Sequence, residues 1–364
     1  MRPRRITRSA AVALVVALLA AGCGSSSSSS SQASSAAAPT SSSGTATGSA
    51  GALTTASSGC SYNHKVKNIA FFGFAASNSF AQATWKGVQQ VAKACGASAK
   101  FLDPNFVAQT QVNQMEDAIT TGQYQLFIVQ ANDGLAVVPA VERAIRQGIT
   151  VVGEFTQIGS RYDTIQPQVS GLIFVGEGSV QNGHALGQLG IEACKGINPC
   201  KVAYLQGFKT LPLDNARTAA VLQTLKTAPN VQLVATLQGG YTQSSGLAAA
   251  QDVLSAHPDV NVIIGSSQAI EGATLAIKRA GKLGKIKLVG NGGSCQAIQG
   301  VKSGAWFASY IVAESSDGAI ATKFGIAAAN GMTVPHAYSI DQIQNPLGTK
   351  QVIAQTHFTA QYCD

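Results

Sequence analysis

Charge is what this chain has least of. Asp, Glu, Lys and Arg make up only 12% of its 364 residues, against 45% hydrophobic residues. So little charge beside so much apolar material excludes a chain that is disordered as a whole. The formal charge of +8 does not mark a nucleic-acid binder either. Four of the 25 basic residues are Arg2, Arg4, Arg5 and Arg8, and no acid precedes Cys23. From Cys23 onward 21 basic residues face 17 acidic ones, a net of +4, with no dense basic stripe. CxxC is absent, and His64, His184, His257, His336 and His357 show no ligand spacing, which excludes a zinc site. GxSxG, HExxH and P-loop patterns are missing, as is a GxGxxG after a strand, which argues against an exported enzyme. The longest apolar run near the start, Ala10 to Leu19, is too short to span a bilayer.

What is present at the start has three parts. Four arginines precede the apolar run, and Ala20-Ala21-Gly22-Cys23 follows it. This is the construction of a signal peptide. Its end resembles a bacterial lipobox, although Ala20 stands where Leu is usual and Leu19 lies one place earlier. The resemblance implies lipidation of Cys23 and a lipid anchor on the extracytoplasmic face of the cell membrane. Residues 24–59 are almost entirely Ser, Ala, Gly and Thr. Such a stretch cannot bury enough apolar surface to offset its ordering entropy, so it reads as a flexible tether.

Six cysteines remain beyond Cys23, an even number in an exported chain, which favours disulfides. Cys194 and Cys200 lie at a helix end and the next strand start and are expected to pair. Cys60 precedes the first strand and Cys95 ends the first helix, so both belong at one edge of a layer. Cys295 with Cys363 follows by exclusion.

From about Val66 apolar runs alternate with helical segments. The runs are Ile69–Phe72, Leu126–Val129, Ile149–Val152, Leu172–Val175, Val202–Leu205, Val260–Ile264 and Ile286–Val289. Nearly continuous hydrophobic runs of this length fit parallel strands buried on both faces. Phe80, Thr84, Gly87, Val88, Val91 and Cys95 share one helical face, and Val137, Val141, Ala144 and Ile145 another. Further helices are expected near 181–195, 214–228, 243–256, 269–280 and 315–330. The pattern predicts an α/β fold, and its length exceeds one comfortable core, so two lobes are expected. Ligands in such folds sit beyond the carboxyl ends of the strands.

Residues 66–344 resemble the periplasmic sugar-binding proteins of the ribose-binding type. The resemblance rests on Leu254-Ser-Ala-His-Pro-Asp-Val-Asn-Val-Ile-Ile264, Val202-Ala-Tyr-Leu-Gln-Gly207, Leu288-Val-Gly-Asn-Gly-Gly293 and Ser77-Asn78-Ser79-Phe80, in that family's order and spacing. It implies two αβα lobes joined by a three-strand hinge, closing on a small solute. The lobes would comprise 60–176 with 312–340, and 177–311 with 341–364. Asn78 and Phe80 match a ligand-contacting Asn and aromatic, and Tyr241 stands where an aromatic often faces the cleft. Phe155 and Thr156 replace an Asp-Arg pair, Asn215 an Arg, Gly292 an Asp beside Asn291, and Ser266 and Ser267 an Asn-Asp. Phe74 occupies a place that is often small and polar. Gln130 lies at a strand end, and Asn132-Asp133 reads either as a contact or as a helix cap. Trp85 and Trp306 read as packing, and Arg217 as a salt-bridge partner on a helix surface.

These departures remove charged clamps and keep aromatics, which points to a modified sugar, a cyclitol, or a small aromatic or apolar molecule. The implied role is solute capture for an ABC permease, by a monomer without cofactor, enzymatic activity or nucleic-acid partner. Signalling to a membrane receptor is the alternative. A transcription regulator is excluded, because the leader occupies the place of a DNA-binding segment.

Overall fold

The computed structural model describes residues 60–364. The leader, Cys23 and the segment 24–59 lie outside the described residues. Two six-stranded sheets organise the rest. The first contains β1 (Asn68–Phe72), β2 (Ser98–Leu102), β3 (Leu126–Val129), β4 (Thr150–Glu154), β5 (Ile173–Gly176) and β11 (Ala337–Ser339). Its order is β11-β5-β4-β3-β1-β2, parallel throughout. The second contains β6 (Cys200–Gln206), β7 (Val231–Gln238), β8 (Val262–Gly265), β9 (Lys287–Asn291), β10 (Ala308–Tyr310) and β12 (Leu347–Thr349). Its order is β12-β10-β9-β8-β6-β7, with β12 alone antiparallel, against β10.

Helices α1 (Ser79–Ala94), α2 (Ala108–Thr121), α3 (Val138–Arg146) and α9 (Glu314–Ala329) pack with the first sheet. Helices α4 (Ser179–Ala193), α5 (Pro212–Leu225), α6 (Gln243–Ala256), α7 (Ser267–Arg279), α8 (Cys295–Ser303) and α10 (Lys350–Thr356) belong with the second. Strand alternation feeds both faces. Ile69 and Phe71 enter the core under α1 and α9, whereas Ala70 and Phe72 enter the core under α2 and α3. That is why these strands are apolar without interruption. The core under α1 and α9 continues into Val202, Tyr204, Val262 and Ile264 of the second sheet. The chain passes between the lobes three times: after β5, after β10 and after β11.

All seven predicted strands form, with ends shifted by a residue or two. Five more were not expected. β2 and β7 are sheet edges, and only part of each faces the core, so neither carries a continuous apolar run. β10, β11 and β12 span three residues each, too few for a period to show. Disulfides join Cys60 to Cys95, Cys194 to Cys200 and Cys295 to Cys363, the three pairs expected. No helix among the described residues is long and apolar enough to cross a membrane.

The first lobe depends on a close crossing of α1 and α9. A Cβ on Gly87 would lie 1.9 Å from the Ser315 carbonyl oxygen, and one on Gly318 would lie 2.2 Å from that of Thr84. Backbone occupies both spaces, so a methyl can be admitted only by moving a helix. Gly87→Ala is expected to destabilise the protein by about 1–3 kcal/mol, the usual cost of overpacking. Chemical denaturation, read as a lowered midpoint, checks this.

Candidate functional site

The carboxyl ends of the two sheets converge on one cavity, partly open to solvent. Each strand delivers its residues just beyond its last hydrogen bond. Phe74 follows β1, Phe106 follows β2, and Phe155 follows β4. Asn78 and Phe80 open α1. The second lobe supplies Leu211 and Leu213, Arg217 from α5, Tyr241 beyond β7, Gln268 from α7, and Asn291 and Gly292 at the end of β9. Val312, in a crossover, and Tyr362 complete the lining.

Six of the lining residues are aromatic. Phe80 meets Phe155 edge-on at 4.6 Å, and Phe74 meets Phe155 at 6.2 Å. Phe106, from the first lobe, lies parallel to Tyr241 of the second at 6.1 Å and edge-on to Phe208 at 5.1 Å. The two Phe106 contacts cross the cleft from one lobe to the other. Two of the rings sit on unusual backbone: φ is 62° at Phe155 and 59° at Phe106. A bulky L-residue in the left-handed region is strained, so packing must hold both in place.

A buried polar network lies beneath the rings. Arg217 Nη1 donates to Asp214 Oδ1 at 2.8 Å and to the Tyr241 hydroxyl at 3.3 Å. Arg217 Nε donates to Asn182 Oδ1, and Asn182 Nδ2 donates to Asn291 Oδ1 at 3.1 Å. The Tyr241 hydroxyl donates to Asp214 Oδ1, and the Phe208 N–H donates to Asp214 Oδ2 at 2.7 Å. Burial pushes the Asp214 carboxyl above the usual range against the pull of Arg217, and it pushes the Tyr241 phenol well above its own, so Tyr241 stays protonated. The guanidinium also lies 6.0 Å from the Phe155 ring centre, a cation–π contact across the cleft. The cavity thus presents aromatic faces, one internally neutralised ion pair and amide groups. Such a surface suits a small neutral ring compound carrying some hydroxyls.

The chain matches the family model described as "Periplasmic binding protein domain" over residues 69–333. It belongs to this family. A D-ribose/D-allose-binding protein of Pseudomonas aeruginosa is 28% identical over 184 residues, which span 50% of this chain and 55% of that protein. An ABC transporter periplasmic solute-binding protein of Actinobacillus succinogenes, solved with bound D-allose, superposes with a TM-score of 0.68 at 21% identity, covering 79% of this chain and 99% of that one. The Caulobacter myo-inositol binding protein, solved with myo-inositol, gives a TM-score of 0.66 at 18% identity, covering 75% and 90%. At these identities the two structures show the shared fold.

Within this periplasmic binding protein, the structure brings Phe74, Asn78, Phe80, Phe155, Tyr241 and Asn291 together around the cavity. Asn78 also caps α1, its Oδ1 accepting from Ala81 N at 2.9 Å, which leaves its NH2 to offer. Gln130, Asn132, Asn215 and Ser266 stand elsewhere. Gln130 Oε1 accepts from Phe74 N and its Nε2 donates to Thr84 Oγ1, so it braces the wall from behind. Asn132 is buried behind Phe74, donating to its carbonyl oxygen at 3.4 Å. Asn215 is exposed and donates to the Lys209 carbonyl. Ser266 caps α7 and donates to the Gly240 carbonyl at 2.7 Å. Arg217, expected on a helix surface, is only 4% exposed, because its partners all lie inward. Phe106, Gln268 and Tyr362 were not anticipated in the site.

Four acids, Glu154, Glu177, Glu314 and Asp317, are buried where the chain crosses between the lobes. Glu154 and Asp317 face each other, and two buried carboxyls pair only if one keeps its proton. Burial pushes Glu154 up to about 7 and Glu177 and Glu314 up to about 8. The ordinary glutamate value is 4.5, so the folded state binds more protons than the unfolded chain. Their contribution to stability is therefore full below that value and is lost as pH rises towards 8.

Two outcomes are expected from this site. The melting temperature falls between about pH 5 and 8, and Glu177→Gln, neutral at every pH, flattens the decline and raises the value at pH 8. Scanning calorimetry across that range decides it. Phe155→Ala should weaken ligand binding by about tenfold or more, the effect of losing a central aromatic anchor. Because Phe155 stands at the cavity wall, 7% exposed, whereas Phe72 is fully enclosed in the strand core, the substitution should cost less stability than Phe72→Ala. Titration calorimetry and thermal melts on both variants check this pair.

Proposed function

We propose that the protein is an extracytoplasmic solute-binding lipoprotein of an ABC importer. It captures a cyclitol or a sugar with few free hydroxyls between two closing lobes. The observation that carries this reading is the lining of the cleft: six aromatic side chains from two lobes over an ion pair that is already neutralised. A charged solute would enter facing rings, with the Arg217 charge already taken by Asp214. A neutral ring can instead stack on Phe or Tyr faces and hydrogen-bond with Asn78, Gln268 and Asn291. The relative named for D-ribose and D-allose and the neighbours holding D-allose and myo-inositol support a ring polyol. The leader ending at Cys23 supports lipid anchoring, and residues 24–59 give the domain reach towards its permease. Nothing in the reading requires a cofactor, and the protein acts as a monomer.

The test is thermal-shift and calorimetric titration of residues 60–364 joined to their natural preceding segment. The panel holds myo-inositol, D-allose, D-ribose, 6-deoxyhexoses and galacturonate. At a hundred times Kd a ligand adds about 2.7 kcal/mol of stability, a readable rise of a few degrees. Myo-inositol or the deoxy sugars should shift the protein most and galacturonate not at all. Strong shifts confined to galacturonate would sink the neutral-ring reading.

A further inference from the structure

Residues 358–364 follow the last helix and belong to neither sheet, yet they tie the two lobes together beside the cleft. α10 stops at His357, whose φ of 51° turns the chain, and Phe358 then plugs into the core of the second lobe. A covalent bond fastens the far end to the same lobe, joining Cys363 to Cys295 at the start of α8. Hydrogen bonds reinforce it. Cys295 N donates to the Tyr362 carbonyl oxygen at 2.8 Å, Gln296 Nε2 donates to the Asp364 carbonyl oxygen at 2.9 Å, and Asp364 N donates to Gln296 Oε1 at 3.0 Å.

Side chains of the same segment reach the first lobe. Ser316 N donates to Gln361 Oε1 at 3.0 Å and Gln361 Nε2 donates to Ser316 Oγ at 2.6 Å, so this amide is bonded at both ends to the first turn of α9. Ser79 Oγ donates to Asp364 Oδ1 at 2.7 Å. Ser79 is the first residue of α1 and stands between Asn78 and Phe80, both in the cavity lining. Its hydroxyl also accepts from Gln268 Nε2 of the second lobe at 2.9 Å. The Tyr362 hydroxyl bonds with the side chains of Ser267 in the second lobe and of Glu314 at the start of α9, so it is one more tie between the lobes. The segment is thus anchored in one lobe and bonded to the other.

We propose that residues 359–364 act as a strap that favours the closed cleft and slows solute release, with the Cys295–Cys363 bridge as its anchor. This rests on the reading of the cleft as closing on a neutral ring polyol. Opening parts the lobes, and a segment fixed to the second lobe must then give up its bonds to Ser79 and Ser316. Ties made only in the closed form shift the balance towards it. The test compares wild type with Gln361→Ala plus Asp364→Ala, which keeps every disulfide, with Cys295→Ser plus Cys363→Ser, and with all four substitutions together. Release of myo-inositol and D-allose is followed by stopped flow, and the radius of gyration without solute by small-angle X-ray scattering. The side-chain variant should release each bound solute about tenfold faster, the weight of one or two hydrogen bonds, and by the same factor for both. The cysteine variant should act in the same direction. Combining the two should add little to the larger single effect, since a strap cut at one end carries nothing at the other. Unchanged release, or effects that simply add, would overturn the inference and leave the cleft reading standing. If wild type binds neither solute, the polyol reading fails and scattering decides the strap alone: a larger radius in the side-chain variant upholds it, and an equal radius defeats it.

Discussion

The Arg217–Asp214 ion pair is the interaction on which the cleft depends. Arg217 is 4% exposed and Asp214 2%, so both charges have left water almost completely. Desolvating two such ions is repaid only where the remaining donors and acceptors are also satisfied. Asn182, Tyr241 and the Phe208 N–H supply those partners, and each belongs to a different element. The pair therefore ties α4, α5 and the turns after β6 and β7 into one rigid floor. It also sets the chemistry above it. A lone arginine would select anions, whereas an arginine whose charge is met from below leaves a polar but neutral surface. The aromatic wall then has no competing electrostatic preference, and ring stacking with a few hydrogen bonds becomes the basis of selection.

The same economy of charge governs the crossovers. Glu154, Glu177, Glu314 and Asp317 are buried at the point where the lobes meet, and a set of four ionised carboxylates could not be. Holding them protonated makes them donors as well as acceptors, so they can bond to one another and to Tyr310. The low overall charge of the chain reflects this: its acids are few, and a notable share of them work as neutral groups.

Much of the fold could be read from the chain, because buried parallel strands must be apolar on both faces. Phe71 and Phe72 illustrate it, pointing into opposite cores from adjacent positions. What stayed hidden lies at the sheet edges. β2 reads Ser-Ala-Lys-Phe-Leu, half exposed, and its register is set by pairing with β1 rather than by its own pattern. Missing β2 also meant missing Phe106, since the rule that ligand residues follow strand ends cannot be applied to an unseen strand. Phe74 and Phe155 were legible by that rule, whereas Tyr241, beyond the unseen β7, was placed by the family resemblance alone. Gln130 and Asn132 satisfied it too, yet their side chains turn back to hold the β1 end, because buried amides find the nearest orphan backbone groups first. Asn215 and Arg217 lie two residues apart on α5, about 200° around the helix, so only one can face the cleft.

Tyr362 was beyond reach for a different reason. Nothing local marks it: no period, no strand before it and no turn signal aims it. Its place follows from the bond of Cys363 to Cys295 and from contacts of Asp364 with Ser79 and of Gln361 with Ser316, all distant in the chain. The cysteine count could pair Cys363 with Cys295, but a pairing alone does not say which way the residue beside it points. Gly292, which has no side chain, leaves the room that the Tyr362 hydroxyl occupies. A site assembled this way has its specificity divided between the strand ends, which the fold imposes, and a bridged segment, which can change without disturbing either sheet.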